Sequence, residues 1–126
     1  MKKISLACIM FTMLSTFGVP AQGSDITAEK WRCFARSDLN KNTVLVELTR
    51  VTVAGETQGS GQISVAGVTH HTLFRITGFD RRWDFGKEMQ YSFIIKPHGS
   101  GFYYDFSLVE EGETTGPSQR FNCVSP

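Results

Sequence analysis

Between Gly78 and Gly86 the sequence reads GFDRRWDFG, so two arginines, two aspartates, a tryptophan and two phenylalanines fall between glycines. Written with period two, Phe79, Arg81, Trp83 and Phe85 share one face, and Asp80, Arg82 and Asp84 share the other. One reading is an exposed Asp-Arg-Asp face over an aromatic face packed on a core. The other is a binding rim, where Trp83 offers an aromatic anchor beside the forked donor of Arg81, residue types common at interface hot spots. Gly78 shifts the parity relative to Phe74 and Ile76, which favours a protruding arm over a plain core strand. Tyr103, expected outside beside Asp105, would extend the same aromatic patch, with Tyr104 taken as a core residue. The expected binding residues are therefore Arg81, Trp83 and Tyr103.

Other reactive types are arranged less productively. His70 and His71 are neighbours, so on a strand they point to opposite faces and cannot chelate one ion. His98 lies in a turn, and no H-x-H or H-E-x-x-H spacing exists, so no metal site is expected. No Gly-x-Ser-x-Gly elbow or phosphate-cradling glycine loop is present. Glu110 and Glu111 fall in a polar loop, and Asp80 and Asp84 have arginine neighbours, an environment unsuited to a general acid. Neither catalysis nor a cofactor is expected.

The remaining chemistry is that of the cysteines. Lys2 and Lys3 precede an apolar run from Ile4 to Gly18, and Val19-Pro20-Ala21 supplies small residues at a cleavage-like spacing. Residues 1–21 read as a removed signal peptide, with Gly23 as the alternative end. Cys8 lies inside that run and lacks the leucine of a lipoprotein signal. Residues 22–126, about 105 residues, are one domain's worth and contain no stretch fit to span a membrane. Cys33 and Cys123 are then the remaining pair, most simply one disulfide in an oxidising compartment, periplasmic or extracellular. Without Lys2 and Lys3, eleven basic residues face twelve acidic ones. That balance argues against nucleic acid and gives no attraction to anionic lipid.

The elements that must position these residues are strands. One helical turn is expected at Asp25–Glu29, capped by Ser24 or Asp25. KWRCFARS then places Trp31, Cys33 and Ala35 on one face. In TVLVELTRVTV, Val44, Val46 and Leu48 share a face while Val51 and Val53 take the opposite parity, which predicts a β-bulge or a sharp bend near Thr49-Arg50. A hairpin turns at Ala66-Gly67, with Val68, His70, Thr72, Phe74 and Ile76 on one face of its second arm. MQYSFIIK groups Met89, Tyr91, Phe93 and Ile95, PHGSG is a clear turn, and FYYDFSLV groups Phe102, Tyr104, Phe106 and Leu108. The polar stretch EEGETTGPS leads to the final strand, QRFNCV.

A meander whose first and last strands are joined by Cys33–Cys123 is most naturally a small antiparallel barrel of six to seven or eight strands. A two-sheet β-sandwich is the alternative. Eight strands leave room for a cavity, whereas six or seven filled by Phe74, Phe93, Tyr104 and Phe106 leave none. With its signal peptide, first-strand tryptophan and terminal disulfide, the layout is similar to small periplasmic barrels that inhibit lysozymes or proteases, and to calycin-type ligand-binding barrels. Glu29 stands where the calycin pattern has a glycine two residues before the tryptophan, and no functional residue is carried over. The expected function is a non-enzymatic exported module acting on a protein partner, as an inhibitor or an envelope-assembly accessory. The alternative is a carrier for a small apolar ligand.

Overall fold

Period-two alternation builds a closed wall. The computed structural model describes residues 25–107, 109–110 and 115–125. Its strands are β1 (Ile26–Ala35), β2 (Val46–Val53), β3 (Gln58–Val65), β4 (Val68–Thr77), β5 (Asp80–Phe85), β6 (Tyr91–Ile95), β7 (Ser100–Asp105) and β8 (Gln119–Val124). Each pairs antiparallel with the next, and β8 returns to β1, so the eight strands form a closed meander barrel. Closure excludes the sandwich and leaves no strand edge open to pairing. The expected leader with Cys8 and its cleavage positions, the Ser24 cap, Leu108 and Glu111 lie outside the described residues.

Directly paired residues share a face, so the register alone sorts inside from outside. One inward row runs Gly59, Phe74, Trp83, Phe93, Tyr103, Gln119 around the wall. Another runs Cys123, Cys33, Val46, Val65. The core comprises Trp31, Leu48, Ile63, Phe74, Trp83, Phe93, Ile95 and Phe121 with the half-cystines. Phe74 meets Trp83 edge-on at 4.9 Å and Phe93 lies 5.4 Å from Phe121, separations at which aromatic pairs attract.

Four local expectations are corrected by this register. The segment taken as a helical turn, Asp25–Glu29, is instead mostly the start of β1, because Ile26 to Lys30 pair with Val53 to Thr49. No bulge interrupts β2, whose pairing to β1 and β3 is continuous through Thr49 and Arg50. Its inner face simply turns polar, with Arg50 and Thr52 buried and Val51 and Val53 exposed. Tyr103, not Tyr104, faces inward, since Gly101 and Tyr103 continue the face of Phe121 and Gln119. Tyr104 stacks on Phe106 at 5.7 Å on the other side.

The fourth correction concerns the arm. Gly78 and Phe79 form a two-residue hairpin loop, with Gly78 at φ +67° and Thr77 paired to Asp80. A two-residue loop places even positions of one arm opposite odd positions of the other. The parity shift at Gly78 therefore keeps Trp83 and Arg81 on the face of Phe74 and Ile76. The stretch is barrel wall, and only Phe79 protrudes, 85% exposed.

The disulfide lies on the closing seam. Cys33 and Cys123 are directly paired across β1 and β8, 90 residues apart in sequence, and both are buried. Gly101 leaves the space they occupy, since a Cβ there would come within 2.6 Å of the Cys123 Sγ. On the chain-entropy model the cross-link stabilises the fold by about 4 to 5 kcal/mol. Reduction is expected to lower the melting temperature by many degrees, and native protein should show no free thiol at either position. Two thiols titrating before denaturation would contradict the seam.

Candidate functional site

The two ends of the barrel are built from different chemistry. At the end carrying the Gly78-Phe79 hairpin, an ion cluster fills the interior. The Glu29 carboxylate accepts from Arg50 Nε at 2.9 Å, from Arg81 Nε and Nη2 at 2.8 and 2.9 Å, and from Trp31 Nε1 at 3.4 Å. Arg50, only 6% exposed, also donates from Nη1 to Thr52 Oγ1 and lies 5.0 Å from the centroid of the Phe74 ring. Arg81 sits 5.2 Å from the Trp31 ring centroid. Buried charge is tolerated when paired and hydrogen-bonded, and both guanidiniums also gain from ring faces. Hydrogen bonding from Arg81, followed by that from Arg50, holds the Glu29 carboxyl down at about 2 against the opposing effect of burial. This end is closed.

The middle layer is aromatic. Trp83 is fully buried, and its Nε1 donates across β3 to the Thr49 carbonyl at 2.9 Å. Gly61 makes that reach feasible, because a Cβ there would lie 2.8 Å from the indole nitrogen and 2.4 Å from the same carbonyl. The side chain that the sequence offered as an exposed anchor is thus the centre of the core.

The other end is hollow. A cavity of about 240 Å³ lies between Val46, Ile63, Phe85, Phe93 and Phe121, with Val65, His70, Tyr103 and Gln119 also lining it. Val65, His70 and Gln119 are exposed, so they form its lip. The walls are stiffened by rings in contact: Phe85 lies 5.6 Å from His70 and 5.5 Å from Tyr91, and Tyr91 stacks on Tyr103 at 6.3 Å. Burial, the Asp105 charge and Tyr91 push the Tyr103 phenol above its ordinary range, so it stays a hydroxyl donor at neutral pH. A depression of about 280 Å³ shares Val46, Val65, Gln119 and Phe121 with the cup and continues over Val44 and Leu45, both exposed. Beside it, the β1–β2 loop is pinned by Asp38, which accepts from the Asn42 and Thr43 amides at 3.1 and 3.0 Å.

The outer wall carries the second half of the Arg-Arg pair. Arg82 points outward and donates to Asp84 at 2.8 Å and to the Ser92 hydroxyl at 3.2 Å, while Ser92 donates to Asp84 and Arg75 adds an ion pair at 3.4 Å. Asp84 and Ser92 are buried in this network. The expected exposed Asp-Arg-Asp ladder is therefore corrected, since Asp80 pairs instead with Lys96 at 2.7 Å.

Of the three expected binding residues, Arg81 belongs to the closed end, Trp83 to the core and Tyr103 to the cup. The structure does not bring them together. His70 and His71 do part to opposite faces, His70 into the cup and His71 onto the outer wall. The cup residues that went unread are His70, Phe85, Gln119 and Phe121. The inward face of His70 with Phe74 and Ile76 was already a signal, because an imidazole on a core face needs either a partner or an opening.

No protein-family model, curated protein or solved structure matches this chain. The fold and the site define a disulfide-closed eight-stranded meander barrel with one end filled by charge and the other left as an apolar cup. Among the described residues no helix is long and apolar enough to cross a membrane.

Proposed function

We propose that the chain is an exported, non-enzymatic binding module that receives one apolar, ring-sized group of a protein partner in the cup. The observation that carries this reading is the cup itself, about 240 Å³ with aromatic walls. That volume is below the range of about 300–1,000 Å³ usual for free-ligand pockets, yet above the roughly 150 Å³ that suffices for benzene in an apolar cavity. The surroundings favour an inserted side chain: Val44, Leu45, Val65 and Val68 are exposed around the same end and would be covered by the surface that carries it. A deep anchor ringed by water-excluding contacts is the usual anatomy of a hot spot. Export is supported by the leader-like residues 1–21 and by the disulfide. Activity as an inhibitor or an envelope-assembly accessory is compatible with such a module.

A free ligand is the second reading, favoured by the polar groups at the lip. His70, Tyr103 and Gln119 could orient the head of a small apolar molecule whose body fills the cup.

Val65→Phe, at the lip and facing inward, fills the cup with little expected cost to the fold. Arg75→Ala, on the outer wall, is the control. Envelope proteins retained by immobilised wild type and by Arg75→Ala, but lost on Val65→Phe, are the expected outcome. Identical retention by Val65→Phe would remove the cup from the interaction.

A further inference from the structure

The chain itself displays a group that suits the cup. Phe79 is the most exposed of the large apolar side chains among the described residues, 85% exposed at the tip of the β4–β5 hairpin. The turn does not ask for it. With Gly78 supplying the positive φ, the second loop position is ordinarily filled by a small polar residue such as Ser, Asn or Asp. The hairpin stands at the closed end, and the cup opens at the other, because Thr77 and Asp80 cap one end of β4 and β5 while His70 and Phe85 lie toward the opposite end. The ion cluster of Arg81 lies two residues from Phe79, and Asp25, Glu56 and the Asp80–Lys96 pair stand at the same end, so charge there is mixed and the ring itself is what the hairpin presents.

We infer that the occupant of the cup is Phe79 of a second copy of this chain. The contact is heterologous: plug and socket are different surfaces at opposite ends of one barrel. A two-fold dimer cannot satisfy both, so the copies add head to tail into open rows. One ring and a narrow rim bury little area, so the association is weak and depends on concentration. The inference rests on the reading of the cup as a binding site, and goes beyond it by naming the occupant.

Sedimentation equilibrium of the disulfide-bonded mature protein, from micromolar to millimolar concentration, is the test. Wild type is expected to gain mass continuously with concentration, without a plateau at two copies. Phe79→Ser, which lacks the plug, and Val65→Phe, which lacks the socket, should each stay monomeric. Their equimolar mixture should form a dimer and stop there, because it holds one intact plug and one intact socket. Association that survives either single substitution, or a mixture that stays monomeric, would overturn the inference. Titration with indole separates the two levels of the argument. If indole saturates the cup while wild type stays monomeric at millimolar concentration, the cup stands as a binding site and its occupation by Phe79 is refuted. If neither indole nor a second copy binds, both readings fall.

Discussion

Trp83→Ala is expected to destabilise the protein by about 3 to 5 kcal/mol, the range for deleting a large aromatic from a packed core. The indole is fully buried, lies edge-on to Phe74 at 4.9 Å and satisfies the Thr49 carbonyl at 2.9 Å. Its removal leaves a void between rigid strands and releases a hydrogen bond that bridges two of them. Arg82→Ala, one position away but outside the barrel, should cost far less, since that side chain is partly exposed and Arg75 remains beside Asp84. Chemical denaturation of the two variants checks this. Equal losses for Trp83→Ala and Arg82→Ala would mean that the inner and outer faces of β5 are wrongly assigned.

Glu29→Gln is the second large effect, expected to cost about 3 kcal/mol or more. The substitution removes the only carboxylate hydrogen-bonded to Arg50 and Arg81 among the described contacts and leaves a buried guanidinium uncompensated. Arg81→Ala should cost less, because Arg50 keeps Glu29 as its partner. The same group sets a pH dependence. Its folded value of about 2 lies below the ordinary 4.5, so the ionised form is favoured by folding. The stability it contributes is fully present above about pH 4.5 and is lost as the pH falls through about 2. Wild-type melting temperatures should therefore drop between those limits by a component that Glu29→Gln lacks. Parallel acid profiles for the two proteins would contradict the role assigned to Glu29.

These residues also show where the sequence was legible. Alternation in MQYSFIIK and KWRCFARS, the Ala66-Gly67 turn and the terminal cysteines together pointed to a disulfide-closed meander barrel, and that is the architecture found. The errors arose where the inner face stops being apolar. In β2 the inward positions after Leu48 are Arg50 and Thr52, so a reading that equates inside with hydrophobic assigns the exposed Val51 and Val53 to a new face. In β7 the same habit chose Tyr104 over Tyr103, because the inner positions there are Gly101 and a phenol on a cup.

The Gly78–Gly86 stretch was misread for a geometric reason. Parity across a hairpin depends on loop length, and a two-residue loop reverses it while preserving the face. Arg81 and Arg82 then go to opposite sides of one wall, and each meets a carboxylate: Glu29 inside, Asp84 outside. Glu29 lies 52 residues from Arg81 and 21 from Arg50, and no local pattern reports pairings of that span. The cup was hidden for a related cause. A cavity is a property of eight strands closing at one particular register, and its lining is drawn from seven of them.

Titration of ¹⁵N-labelled protein comprising residues 22–126 with indole, followed by amide shifts, tests the cup most directly. At roughly 0.5 kcal/mol per heavy atom, a ring system of this size should bind with a Kd of about 10⁻⁴ to 10⁻³ M. The expected result is saturable shifts grouped on Val46, Ile63, Val65, His70, Tyr103 and Gln119, and their loss in Val65→Phe. Shifts that never saturate, or that persist unchanged when the cup is filled, would contradict a binding site at the open end of the barrel.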